Sequence, residues 1–194
     1  TYENAYNAGM GSNGLTSGRH DLLHHSYHTK YPESFDINTD EEYIYSGQFS
    51  LTDSLEGTPV DIGKALLSPT RTYAPILNKI MQDTALKGAI NGIIHCTGGA
   101  QTKVMKFLDK PLHIIKDSLL ETPPLYKTIH ETTGTSMKEM YEVFNMGHRL
   151  EIYCDKTIAN DLISIAASFN VEAQIIGRCE TNSQKKLTIA GISY

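Results

Sequence analysis

The sequence predicts an α/β (α+β layered) fold, a mixed β-sheet flanked by helices, in one domain spanning residues 1–194. Three observations predict it. Short apolar runs at 89–96, 112–115, 149–154, 173–176 and 187–190 have strand length and composition. Helix-length stretches with one apolar face stand between them. No internal repeat or low-complexity tract interrupts the alternation. With 194 residues, 40% of them apolar and 20% charged, the chain is long enough to bury a real core.

The elements follow in order. Residues 1–14 end in Gly9-Met10-Gly11-Ser12-Asn13-Gly14, loop chemistry that tolerates positive φ and close backbone approach. A helix is expected from about Thr16 to Tyr27, with Pro32 its latest sensible end. Residues 30–58 are polar and weakly periodic, a long excursion with one short strand around Tyr43–Tyr45. Val60–Leu67 is a short helix or strand leading into Ser68-Pro69-Thr70-Arg71. Pro75 opens a helix whose face is Ile76, Leu77, Ile80 and Met81 and which runs to Gly88. Ala89–Cys96 is a buried strand ending in Thr97-Gly98-Gly99, with a helix starting near Gln101.

Leu112–Ile115 is the next strand. Pro123-Pro124 opens a helix that Gly134 stops, and Ser136–Val143 forms another. In 149–154, Leu150, Ile152 and Cys154 alternate with Arg149, Glu151 and Tyr153, a strand period. Ile158, Leu162, Ile165, Ala166 and Phe169 give the clearest helical stripe. Ala173–Ile176 and Leu187–Ala190 complete the strands.

Composition narrows the function. A formal charge of -5, from 22 acids against 17 bases, gives nucleic acid or an anionic membrane no electrostatic pull, and neither is expected as a partner. No apolar run reaches the roughly 18–20 residues of a membrane span. The 3 cysteines, Cys96, Cys154 and Cys179, are widely spaced without a CxxC pair, which argues for reduced thiols in a cytoplasmic protein. A chain that starts at Thr1 and reaches a Gly-rich motif at once is expected to be an excised piece.

Several residues offer chemistry. Gly11, Ser12, Asn13, Gly14 and Thr16 precede a helix, so backbone amides and the helix dipole can hold an anion, with Arg19 adding charge. The alternative is a plain Asn-Gly turn with Ser12 or Thr16 as cap. Thr97, Gly98 and Gly99 follow a strand and offer a second such geometry, with His95 at the strand end as a candidate substrate contact. Arg71 is either a solvated turn residue or a phosphate clamp. Asn145 is either part of a helix C-cap or an amide that reads an amide or amidine group. His20, His24 and His28 recur every four residues on the predicted helix, with His25 beside them. No glutamate stands at the HExxH position, where this chain has Asp21 between His20 and His24, so an exposed polar face is the reading and no metal is expected.

Four segments together resemble one family: Gly11-Ser12-Asn13-Gly14-Leu15-Thr16-Ser17-Gly18-Arg19, Leu66-Leu67-Ser68-Pro69-Thr70-Arg71-Thr72-Tyr73, Ile94-His95-Cys96-Thr97-Gly98-Gly99-Ala100, and Glu139-Met140-Tyr141-Glu142-Val143-Phe144-Asn145-Met146-Gly147. They are similar to H-S-N-G-[YF]-S-L-x-R, L-L-x-P-T-R-[IT]-Y, H-[IV]-T-G-G-G and E-M-[YF]-x-x-F-N-M-G of the aminoimidazole ribonucleotide synthetases (phosphoribosylformylglycinamidine cyclo-ligases). The resemblance covers nearly the whole chain but only the C-terminal half of the family's usual polypeptide. It implies ATP-driven ring closure of formylglycinamidine ribonucleotide: the formyl oxygen is phosphorylated, and the amidine nitrogen displaces phosphate to give aminoimidazole ribonucleotide. ATP and Mg2+ are then expected mainly on an N-terminal domain absent from these 194 residues, in a protein that is a homodimer at full length. Without that domain the piece is expected to be inactive. Where the family often has His this chain has Gly11, which removes any role of that side chain. The alternatives are a sister enzyme (formylglycinamidine ribonucleotide synthetase, selenophosphate synthetase or thiamine monophosphate kinase type) and a non-catalytic nucleotide-binding module.

Overall fold

The computed structural model describes residues 7–194. The part of the predicted N-terminal loop before residue 7 lies outside the described residues. Eight α-helices are present among them: α1 (Leu15–Leu22), α2 (Ser26–Lys30), α3 (Ile62–Leu66), α4 (Ala74–Gln82), α5 (Thr84–Gly88), α6 (Pro124–Thr133), α7 (Met137–Val143) and α8 (Ala159–Ser168). The strands are β1 (Ile90–His95), β2 (Leu112–Lys116), β3 (Leu150–Cys154), β4 (Gly177–Thr181), β5 (Lys186–Ile189) and β6 (Ile192–Ser193). The fold is α/β with mixed pairing, as the sequence predicts. β1 and β3 form an antiparallel pair, and a four-stranded sheet runs β4-β2-β5-β6. In that sheet β2 is antiparallel to β4 and parallel to β5.

Local chemistry sets most boundaries. Gly134 ends α6 in the left-handed conformation at φ 67°. Ser136 caps α7 by accepting the Glu139 N–H. The expected Pro75–Gly88 helix is two helices, because the Asp83 side chain accepts from Ala85 and Leu86 N–H and so starts α5. The stretch after Gly99 coils as a 3-10 turn over Ala100–Lys106.

Four expectations need correction. The helix drawn from Thr16 to Tyr27 breaks after Leu22, where Leu23 and His24 turn extended and bridge to Phe49 and Gly47. His20, His24 and His28 therefore share no helix face: the His20 Nδ1 instead accepts the Tyr45 N–H at 3.3 Å. Around Tyr43 the chain is a 3-10 turn, Glu41–Tyr43, rather than a strand. The last helix-to-strand connection runs further than expected, so the strand placed at 173–176 forms at 177–181.

The larger core joins Met10, Leu22, Ile62, Leu66, Leu125, Tyr126, Ile129, Met140, Phe144 and Met146, all almost wholly buried. It seats α1, α3, α6 and α7 beneath the segment Gly9–Gly14. A second cluster, Ile76, Ile80, Leu86 and Leu162, packs α4, α5 and α8 together. No helix among the described residues is long and apolar enough to cross a membrane.

Candidate functional site

The four motif segments are far apart in sequence and meet in space. Gly11 N–H donates to the Ser68 carbonyl at 2.9 Å and Ser12 N–H to Thr70 Oγ1 at 2.9 Å. The Ser12 and Thr70 hydroxyls are 2.5 Å apart. Asn13 Nδ2 donates to the Cys96 carbonyl, tying the first segment to the end of β1. Cys96 N–H in turn donates to the Arg149 carbonyl at 2.8 Å. Gly14, at φ 81°, lies against Phe144 so closely that a Cβ there would come within 2.5 Å of the ring. Only glycine fits both the left-handed backbone and that contact.

His95 stands at the centre of the convergence. Its ring is hydrogen-bonded to the main chain of Arg71 and meets the Tyr73 ring edge-on at a centroid distance of 5.9 Å. Partial burial and then the nearby Lys103 ammonium hold its pKa below the ordinary histidine value, against the Arg71 bond. A neutral imidazole fixed this way suits hydrogen bonding better than proton delivery.

The turn Thr97-Gly98-Gly99 presents open donors. Gly99 is left-handed at φ 88°, and a Cβ at Gly98 would meet nothing within 4 Å. Among the described residues neither the Gly98 nor the Gly99 N–H meets an acceptor. Lys103 reaches back over the turn, its Nζ 2.6 Å from Thr97 Oγ1 and 3.1 Å from the His95 carbonyl. Sequence reasoning missed Lys103. Its signal was available as a lysine four residues beyond Gly99, one turn along the element that the glycines open.

Other candidates are placed differently. The N–H groups of Gly11, Ser12 and Asn13 are all taken by the protein's own acceptors, Asn13 by the Met10 carbonyl at 2.8 Å. These three amides are thus engaged within the protein, while the Ser12 side chain stays exposed. Thr16 and Arg19 line a separate recess of about 550 Å³, together with Glu33, Asp36 and Tyr43 from the excursion. Asn145 is buried with its amide fully engaged: Nδ2 lies 3.2 Å from the Ala8 carbonyl and 2.6 Å from Tyr126 Oη, and Oδ1 accepts Gly147 N–H at 2.8 Å. It braces the chain behind the first loop. At Gly11 an added Cβ would come 3.1 Å from the Thr70 N, so the glycine lets two motif segments close on one another.

Behind the open turn lies a buried charge network. Lys116 Nζ bonds Glu151 Oε1 and the Gln101 carbonyl, each at 2.6 Å, and Glu151 Oε2 accepts from Tyr153 Oη at 2.6 Å. Lys116 and Glu151 side chains are only 2% and 3% exposed. Burial, reinforced by Glu151, pushes the Cys96 thiol and the Tyr153 hydroxyl well above their ordinary pKa values, so neither is a nucleophile at neutral pH.

No family model matches the chain. Among curated proteins it is 33% identical over 137 residues to the phosphoribosylformylglycinamidine cyclo-ligase of Methanocaldococcus jannaschii, covering 69% of this chain and 38% of that protein. The cyclo-ligase of Methanococcus vannielii is 34% identical over 122 residues, 62% of this chain and 33% of the relative. That of Syntrophus aciditrophicus is 28% identical over 146 residues, 74% of this chain and 41% of the relative. The chain thus spans well under half the length of these relatives. Among solved structures, E. coli HypE, a hydrogenase maturation protein, aligns with a TM-score of 0.48 at 14% identity, over 98% of this chain and 50% of that one. That likeness is too partial to argue from.

Proposed function

From a chain homologous to the phosphoribosylformylglycinamidine cyclo-ligases, we propose the substrate-side part of such an ATP-dependent ligase, acting in purine biosynthesis on formylglycinamidine ribonucleotide. One observation carries the reading: the segments around Ser12, Thr70, His95 and Phe144 converge on one face, where an open Gly-Gly turn lies beneath a lysine. The Gly98 and Gly99 amides and the Lys103 ammonium supply donors and one positive charge, which suits a phosphate group. The Ser12 and Thr70 hydroxyls add neutral donors at the exposed rim.

In this proposal the chain binds and orients, and ATP with Mg2+ is held mainly by residues outside these 194. Phosphoryl transfer asks a protein mostly for positioning and charge stabilisation. Neutral His95 holds the loop of Arg71 against the end of β1 and offers a hydrogen bond to substrate. The proposed assembly is a cytoplasmic homodimer completed by the ATP-binding domain.

The test is ADP release from Mg-ATP and formylglycinamidine ribonucleotide by the full-length protein that carries this chain, beside Lys103→Met. Substrate-dependent release that falls about 100-fold in kcat/KM, or about 3 kcal/mol, in the variant is the expected result. A well-folded parent that releases no ADP in response to this substrate overturns the reaction. An unaffected variant overturns the assignment of the turn.

A further inference from the structure

The histidine-rich stretch outside this site has a second arrangement that no helix periodicity reveals. We propose that His25, His28 and Glu41 form a surface site for a borderline divalent cation of the zinc class. The two imidazoles and the carboxylate each offer one ligand atom, and these atoms all lie within 4.8 Å of one another. His25 is the residue before α2, His28 lies on α2, and Glu41 opens the 3-10 turn that packs against them.

The ligand atoms are oriented as well as close. His25 Nδ1 lies 3.3 Å from the Ile44 carbonyl, an oxygen that can only accept. Nδ1 therefore carries a proton, which leaves Nε2 as the ring atom whose lone pair can take a metal. That Nε2 stands 3.7 Å from Glu41 Oε1. Two lone-pair atoms facing each other at this range call for a cation between them. Ligands at usual zinc distances on a tetrahedral ion are roughly 3.4 Å apart, near the spacing seen. A backbone carbonyl on the far nitrogen is also the usual support of a metal-bound histidine.

His28 stacks on two rings. Its ring lies 5.2 Å from that of His25 with planes 11° apart, and 4.9 Å from Phe35 at 19°. Two neutral imidazoles and one carboxylate suit zinc, nickel or copper ions better than magnesium or calcium, which prefer oxygen alone. Three protein ligands leave a coordination position for water or for a group brought by another molecule. Glu41 and His25 side chains are 74% and 52% exposed, so the ion can enter without opening the fold.

The competing account is a proton in place of the metal, giving a histidinium–glutamate pair. Equilibrium dialysis of Zn2+ against untagged protein, read beside calorimetry, separates the two. One Zn2+ per chain is expected, weakened about tenfold or more by Glu41→Gln and by His28→Asn. His24→Asn and Cys179→Ser keep that affinity, since neither residue is in the triad. The absence of saturable binding, unchanged affinity in Glu41→Gln and His28→Asn, or equal weakening in the two controls each overturns the proposal. Thermal melting of every variant without metal shows that lost binding is not lost fold.

Discussion

Two glycine-rich turns, Gly9–Gly14 and Thr97–Gly99, look alike in sequence and differ in where their amides go. In the first, the N–H groups of Gly11, Ser12 and Asn13 all meet internal acceptors. In the second, the Gly98 and Gly99 amides stay open beneath Lys103. Their supports differ too. Neutral groups, the Asn145 amide and the Tyr126 hydroxyl, brace the closed loop through the Ala8 carbonyl. The open turn runs into Gln101, whose carbonyl is gripped by a buried ammonium paired with Glu151. Glycine permits close approach in both places; the destinations of the hydrogen bonds set the two turns apart.

The sharpest way to break this contrast is at its charged support. Lys116→Met removes the partner of a carboxylate that is 3% exposed and leaves it unpaired in the core. Loss of about 3–5 kcal/mol in denaturant unfolding is expected. Lys116→Met combined with Glu151→Met removes both charges and is expected to recover most of that loss. A double variant as unstable as the single one would show that packing, not the unpaired charge, sets the cost.

Next in size is the difference between the glycines themselves. Gly14→Ala places a Cβ 2.5 Å from the Phe144 ring on a backbone at φ 81°. The left-handed strain and the overpacking together predict about 2–4 kcal/mol of destabilisation. A larger residue such as Asp at Gly14 would therefore report on folding before it reported on phosphate. Gly98→Ala meets nothing within 4 Å, and its stability should change by less than about 0.5 kcal/mol. Equal shifts in melting temperature for the two alanines would erase the distinction between a packed turn and an open one.

Much of this was legible from the residues, and the exceptions have physical reasons. β1, β2 and β3 and helices α6, α7 and α8 declare themselves by apolar period and by caps such as Gly134 and Ser136. The four motif segments could be picked out, although their convergence could not. The break after Leu22 depends on bridges to Phe49 and Gly47, distant in sequence. β4 is misplaced by periodicity because Arg178, Cys179 and Glu180 are exposed on an edge strand and carry no buried face. The pairing of Lys116 with Glu151 joins residues 35 apart that each look like an ordinary surface charge. Asn145, which pattern leaves open between a helix C-cap and an amide that reads substrate, is buried and hydrogen-bonded as a brace.

A smaller effect than that of Gly14→Ala falls on the closed side and can be titrated. His148 is 3% exposed, and its Nε2 accepts the Leu120 N–H at 3.1 Å, a bond that requires the neutral ring. Burial lowers its pKa to about 4, with Glu151 and Lys116 acting in opposite directions upon it. The folded pKa lies below the unfolded value of about 6.5, so the unfolded chain binds the proton more readily. The stability this ring contributes is complete above pH 6.5 and is lost as the pH falls toward 4. Between pH 7 and 5.5 this group alone should remove about 1 kcal/mol. His148→Gln, which offers a neutral acceptor at every pH, should flatten that part of the stability curve. If wild type and variant lose stability in parallel over this range, the acid sensitivity belongs to the carboxylates. The brace through His148 N–H and the Asn145 carbonyl, 2.9 Å apart, would then be independent of the ring's charge.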